Sequence, residues 1–143
     1  MKILFDCKLQ VESHLILKNS KSIYFNKCTG KRFITTSDKK KLEQLRLISL
    51  IRTEMFKQKC LMPINLPVAV SFIFAYPKHV YYTKRGTVSL KIGDLSNLVQ
   101  GPEDAMQKAG LLSNDALIYS LDGSRRVPGD GYSLTIIVKE FNE

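Results

Sequence analysis

The sequence has no tryptophan, three cysteines and two histidines in 143 residues, and these scarcities narrow the field. Cys7, Cys28 and Cys60 are odd in number and widely spaced, with no C-x-x-C pair and no histidine at a ligand spacing, which argues against a disulfide framework or a zinc site. A reducing cytoplasm fits that usage. No stretch approaches the roughly 20 apolar residues of a membrane span, so no membrane association is expected. The opening M-K-I-L-F-D-C-K carries charge inside its apolar run and reads as a strand, not a signal peptide. Gly-rich phosphate loops are absent and no Ser, His and Asp set points to acyl transfer, so no small-molecule cofactor is expected.

Acid is the other scarcity. Thirteen Asp and Glu face 22 Lys and Arg, giving a net charge of +9, and a field of that size favours polyanionic partners. Nucleic acid is the leading candidate; a merely basic, soluble protein is the alternative. Hydrophobic residues at 44% and charged residues at 24% are ordinary globular values, and the length suits one domain spanning 1–143.

The periodicities predict a single α+β domain, a mixed or mainly antiparallel sheet packed by two helices. Residues Lys2 to Val11 alternate as a half-buried strand, with Ile3, Phe5, Cys7, Leu9 and Val11 on one side. Strands around Asn26 to Gly30 predict a hairpin. Thr36 and Ser37 precede a helical pattern from Asp38 to about Lys59, with Leu42, Leu45, Ile48, Ile51 and Met55 as its apolar stripe. After the Pro63 and Pro67 stop, Val68 to Tyr76 reads as a central strand that Pro77 ends. Leu117 to Leu121 and Tyr132 to Phe141 predict a closing hairpin with Arg125 and Arg126 at a basic tip.

Two basic segments carry aromatics between their charges, a composition that holds phosphates and stacks on unpaired bases. The first offers Asn19, Lys21, Lys31 and Arg32, and Lys39, Lys40, Lys41 and Arg46 would extend its track. The second, Lys78 to Thr87, offers Lys84 and Arg85, with Tyr81 or Tyr82 as a wedge at a branch point, and leads through Lys91 to Asp94. Aromatics packed in a core and charges merely solvated are the bland alternative. His79 has no evident role as a base.

Four of the few acids, Asp94, Glu103, Asp104 and Asp115, fall between Lys91 and Asp115. Asp94-Leu95-Ser96-Asn97 reads as a turn ending in a helix cap, the helix runs towards Lys108, and Gly110 stops it. Pro102 means either a kink or a regular part that begins near Gly101. An acid before a helix and another before the next strand can converge, and convergent carboxylates suit Mg²⁺ or Mn²⁺. Turn-forming, solvated carboxylates would give the same spacing.

The stretch D-L-S-N-L-V-Q-G-P-E-D-A-M-Q-K-A-G-L-L-S-N-D-A, Asp94 to Ala116, resembles the signature of the RusA family of Holliday-junction resolvases without a gap. The resemblance implies an endonuclease for Holliday junctions or related branched DNA, active in recombination and repair, cytoplasmic and homodimeric, in a bacterial or phage setting. It implies Asp94 and Asp115 as catalytic metal ligands for Mg²⁺ or Mn²⁺, and Asp104 as a third acid. Ser96 stands where the family has a second catalytic Asp, Gln100 where it has a Lys, and Asn114 where it has the first acid of a terminal pair. Ser96 would then orient a bound water, and Lys91 or a loop Lys would replace the family Lys missing at Gln100. Two rival expectations remain open: a branched-DNA-binding module that has lost chemistry, and a basic RNA-binding domain.

Overall fold

Large apolar residues at every second position, Val68, Val70, Phe72, Phe74 and Tyr76, form the central strand around which the chain is built, and all five are fully buried. The computed structural model describes residues 2–11, 21–25, 32–36, 38–90 and 94–142, with the backbone alone for 21–25, 32–36 and 38–40. Its strands are β1 (Ile3–Gln10), β2 (Lys21–Phe25), β3 (Arg32–Thr36), β4 (Val68–Pro77), β5 (Ile118–Ser120), β6 (Arg125–Gly129) and β7 (Ser133–Glu140). Its helices are α1 (Asp38–Lys57), α2 (Lys78–Tyr81), α3 (Leu95–Leu98) and α4 (Gln100–Ala109), followed by a 3₁₀ turn at Asp115–Leu117.

This is a single α+β domain with a mixed sheet. β7 lies antiparallel between β1 and β4, while β5 and β6 run parallel to β4 along its other edge. β2 and β3 pair with each other as the expected antiparallel hairpin. One face of the main sheet is closed by α1 through Leu47, Ile48, Ile51 and Met55, and by α3 and α4 through Leu98, Ala105, Met106 and Ala109. β1 adds Phe5, Cys7, Leu9 and Val11 to that core, whereas Ile3 is exposed. Among the described residues, no helix is long and apolar enough to cross a membrane.

Three expectations change. The closing hairpin does not form, because β7 is claimed by β1 and β4, and Arg125 and Arg126 lie in strand β6 instead of at a tip. Pro128 is tolerated in β6 because an edge strand can spare a ladder N–H. Between β5 and β6 the chain leaves the ladder, pinned where Ser71 Oγ donates to the Asp122 carbonyl at 2.7 Å and the Phe72 N–H donates to Ser124 Oγ at 3.0 Å. Gly123 makes that turn at φ 88° with no room for a side chain, since a Cβ would stand 3.0 Å from Ser71 Oγ. Secondly, Ala116 and Leu117 belong to the 3₁₀ turn and not to a strand. Thirdly, the stripe of α1 begins later than its sequence implies: Leu42 and Leu45 are 68% and 62% exposed while Leu47 is 1% exposed. Ser37, expected to cap this helix, lies outside the described residues.

The outer edge of β1 is closed by side chains. Gln58 accepts from the Asp6 N–H at 3.3 Å and donates to the Asp6 carbonyl, taking the place of a neighbouring strand, and Cys60 Sγ lies 3.8 Å from the Leu4 carbonyl. Cys7 itself is buried, and burial, with the charge of Glu54, pushes its thiol up to about 12, so it is not a thiolate nucleophile.

Truncating Phe72 to alanine should cost about 3–5 kcal/mol in urea unfolding, while Leu45→Ala should cost under about 0.5 kcal/mol. Tyr76 tests the polar side of the core, since its hydroxyl is buried without a hydrogen-bond partner among the described residues. Tyr76→Phe should therefore keep or raise stability, by up to about 1 kcal/mol in the same measurement.

Candidate metal and nucleic-acid site

The acidic stretch folds as one nearly continuous helix. Asp94 is the N-cap of α3, with an extended backbone and no side-chain cap bond, so Ser96 and Asn97 lie inside the first turn and do not cap it as expected. Val99 is helical (φ −71°, ψ −21°), and the Glu103 N–H donates to its carbonyl at 3.0 Å, which joins α3 to α4. Pro102 is accommodated because it falls in the first turn of α4. Gly110 ends the helix at φ 86°, with Gly110 N–H donating to Gln107 and Leu111 N–H to Met106.

Helical spacing then sorts the acids. Ser96, Gln100, Glu103 and Gln107 recur at four, three and four, a single stripe, and the charge of Asp115 in the 3₁₀ turn is felt at Glu103 on that stripe. Burial, and secondarily the charge of Asp115, raises the Glu103 carboxyl above the usual carboxylate range. Asp104 faces the other way. Its Oδ2 accepts from Gln44 at 3.2 Å and pairs with Lys108 at 2.9 Å, while Gln44 also donates to the Gly101 carbonyl and Arg52 to the Lys108 carbonyl. Asp104 thus joins α1 to α4.

Asp94 and Asp115 are exposed, and among the described residues neither they nor Glu103 enters an ion pair. Nine residues separate Asp94 from Glu103, about 13 Å of helix rise. Among the described residues no three His, Cys, Asp or Glu stand together as a metal-binding group. Asp94, Glu103 and Asp115 offer carboxylate oxygens, the donor type that Mg²⁺ or Mn²⁺ takes, and the structure does not bring three of them together.

The second basic segment is an ordered loop. Tyr82 bridges to Val88, the Thr83 N–H donates to the Thr87 carbonyl at 2.7 Å, and the Thr83 and Thr87 hydroxyls meet at 2.8 Å. Gly86 turns the chain at φ 81°, leaving Lys84 and Arg85 exposed at the tip. Tyr81 is half-buried against the core, and Tyr82 stands edge-on to it with ring centroids 4.9 Å apart, 39% exposed. Of the two, Tyr82 is the one open to a stacking partner. Lys21 and Arg32 lie at opposite ends of the β2–β3 ladder, opposite Thr36 and Phe25. Lys31, Lys91 and Asn19 lie outside the described residues. Arg125, exposed on β6, donates to the Gly123 carbonyl at 2.8 Å.

No family model matches the chain, and no curated protein matches it.

Glu103 sets a pH signature. A carboxyl raised on folding keeps its proton longer in the native state, so stability falls as pH climbs from the unfolded carboxylate range through the folded pKa. Glu103→Gln should therefore stabilise the protein at pH 7 and leave it little changed near pH 3, as read by thermal melting across pH. Asp115→Asn should shift the Glu103 titration down towards its usual range, as followed by NMR.

Proposed function

We propose that the protein is a metal-dependent endodeoxyribonuclease that cuts Holliday junctions or related branched DNA in recombination and repair. The observation that carries this is the stretch Asp94–Ala116, which gathers four acids in a chain with net charge +9 and resembles the RusA signature without a gap.

A bound Mg²⁺ or Mn²⁺ supplies Lewis acidity for phosphodiester hydrolysis. The chain's own residues do the rest. Asp94 and Asp115, the two acids the resemblance marks as ligands, would hold such an ion, and Ser96, two residues beyond Asp94, would orient a bound water by its hydroxyl. Lys84 and Arg85 neutralise phosphates beside the scissile one, Tyr82 stacks on an unpaired base, and Lys21, Lys31, Arg32 and Lys91 extend the phosphate track. Action on a four-way junction suits a homodimer, because two symmetric strands need two sites. Cytoplasmic location follows the same proposal.

A second reading, a branched-DNA-binding module with weakened chemistry, is favoured by Ser96 and Gln100, which stand where the resembled family has a catalytic Asp and a Lys. Cleavage of a labelled four-way junction, against a linear duplex of the same sequence, separates the two. The nuclease cuts the junction only with Mg²⁺ or Mn²⁺, and Asp115→Asn or Asp94→Asn lowers the rate at least about 100-fold with junction binding intact. Ser96→Asp with Gln100→Lys should raise the rate. Tight, specific binding without cleavage under any metal identifies the module instead.

A further inference from the structure

β6 and β7 lie on opposite sides of β4, so the chain between them must cross the end of that strand, and it does so through Asp130, Gly131 and Tyr132. The crossing starts tight on β4: a Cβ at Gly129 would stand 3.3 Å from the Ala75 Cβ. It walls off one end of the sheet face opposite the helices, where Gln10, Ser133 and Ala75 share a row and Lys8 stands in the next one. These four, with Gly129, Asp130 and Gly131, line a cleft of about 330 Å³. Ser133 is 5% exposed, and its hydroxyl has no hydrogen-bond partner among the described residues. Lys8 and Asp130 border the same space, yet among the described residues neither enters an ion pair. Gln10 brings an amide that both donates and accepts.

We propose that this cleft binds one nucleotide, with its phosphate on Lys8 and its base edge on Asp130, Gln10 and Ser133. A ligand that is only anionic would be repelled by Asp130 and one that is only cationic by Lys8, so the ligand carries an anionic group and hydrogen-bond donors at separate ends. Ala75 is the one apolar side chain among the described residues of the lining, which leaves little for an apolar ligand to cover. The cleft also lies at the end of the sheet that carries the basic loop, because Gly129 pairs with Pro77, from which α2 leads to Lys84 and Arg85. The action on branched DNA proposed above would supply such a nucleotide, unpaired at the branch point, and the DNA source of the ligand rests on that reading. A carboxylate only accepts, and this selects among the bases. Guanine offers it two parallel donors, a ring N–H and an amino group, whereas thymine offers one N–H set between two carbonyls.

NMR titration of isotope-labelled protein with the four deoxynucleoside monophosphates, deoxyguanosine and inorganic phosphate, beside binding of a four-way junction and a linear duplex, tests this. The amides of Lys8, Gln10, Gly129, Gly131 and Ser133 should shift together, and the guanine nucleotide should bind at least about fivefold more tightly than the thymine nucleotide. Lys8→Gln should weaken that nucleotide about tenfold and leave deoxyguanosine within about twofold, because the contact it removes is to phosphate. Asp130→Asn should abolish the preference for guanine over thymine. Ser133→Ala should weaken the guanine nucleotide about threefold or more while melting within about 2 °C of wild type, since no protein partner is lost. If the nucleotide comes from DNA, Lys8→Gln and Asp130→Asn weaken the junction about three- to tenfold more than the duplex. Nucleotide binding with unchanged junction affinity in both variants keeps the cleft and overturns DNA as the source. No shift at these amides with any nucleotide, or equal affinity for inorganic phosphate, overturns the cleft, whatever the protein does to junctions. Nucleotide binding by a protein that binds no junction overturns the nuclease reading and keeps the cleft.

Discussion

Burial of alternate side chains along β4 is the constraint on which the rest depends. With Val68, Val70, Phe72, Phe74 and Tyr76 all shut off from water, each contributing roughly 1.5–3 kcal/mol, the face they share must be roofed along its whole length. The apolar surfaces of α1 and of α3 and α4 supply that roof. Both edges of β4 are also occupied, by β7 on one side and by β5 and β6 on the other, so its ladder groups find partners without water. Ser71 and Ser124 carry the hydrogen bonding across the break where the chain loops out between β5 and β6.

That arrangement sets where the acids go. The α3–α4 helix must turn Leu98, Ala105, Met106 and Ala109 towards the sheet, and the remaining faces follow from the 3.6-residue period. Asp104 is left against α1, where Gln44 and Lys108 engage it, and Glu103 is left half-buried within the influence of the Asp115 charge. Neighbouring residues in sequence thus have different work. One carboxylate joins two helices, and the other meets a like charge that costs free energy unless a proton or a cation relieves it.

The strand at Val68 to Pro77, the edge strand β1, the hairpin of β2 and β3, the long helix α1 and the Gly110 stop are all legible in the sequence, because each is written in local periodicity or in a residue with a special backbone preference. The lysines, arginine and tyrosines of the second basic segment are equally legible as a group. Their ordering is not, because Thr83 and Thr87 close the loop through a contact that no propensity signals. The late start of the α1 stripe also escaped, since Leu42 and Leu45 fit the helical period as well as Leu47 does and only the extent of the sheet beneath distinguishes them.

The sequence by itself determined the composition of the fold and of the candidate site: an α+β domain, a net charge of +9, and four acids gathered between Asp94 and Asp115. Tertiary structure decided the partnerships. It took β7 away from the expected hairpin and placed it between β1 and β4, set Asp104 against Gln44 of α1, and brought Asn65 to Ser113 across 48 residues. The physical reason is that side-chain period and charge are properties of neighbouring residues, whereas strand order and the meeting of distant side chains depend on which surfaces must be buried together.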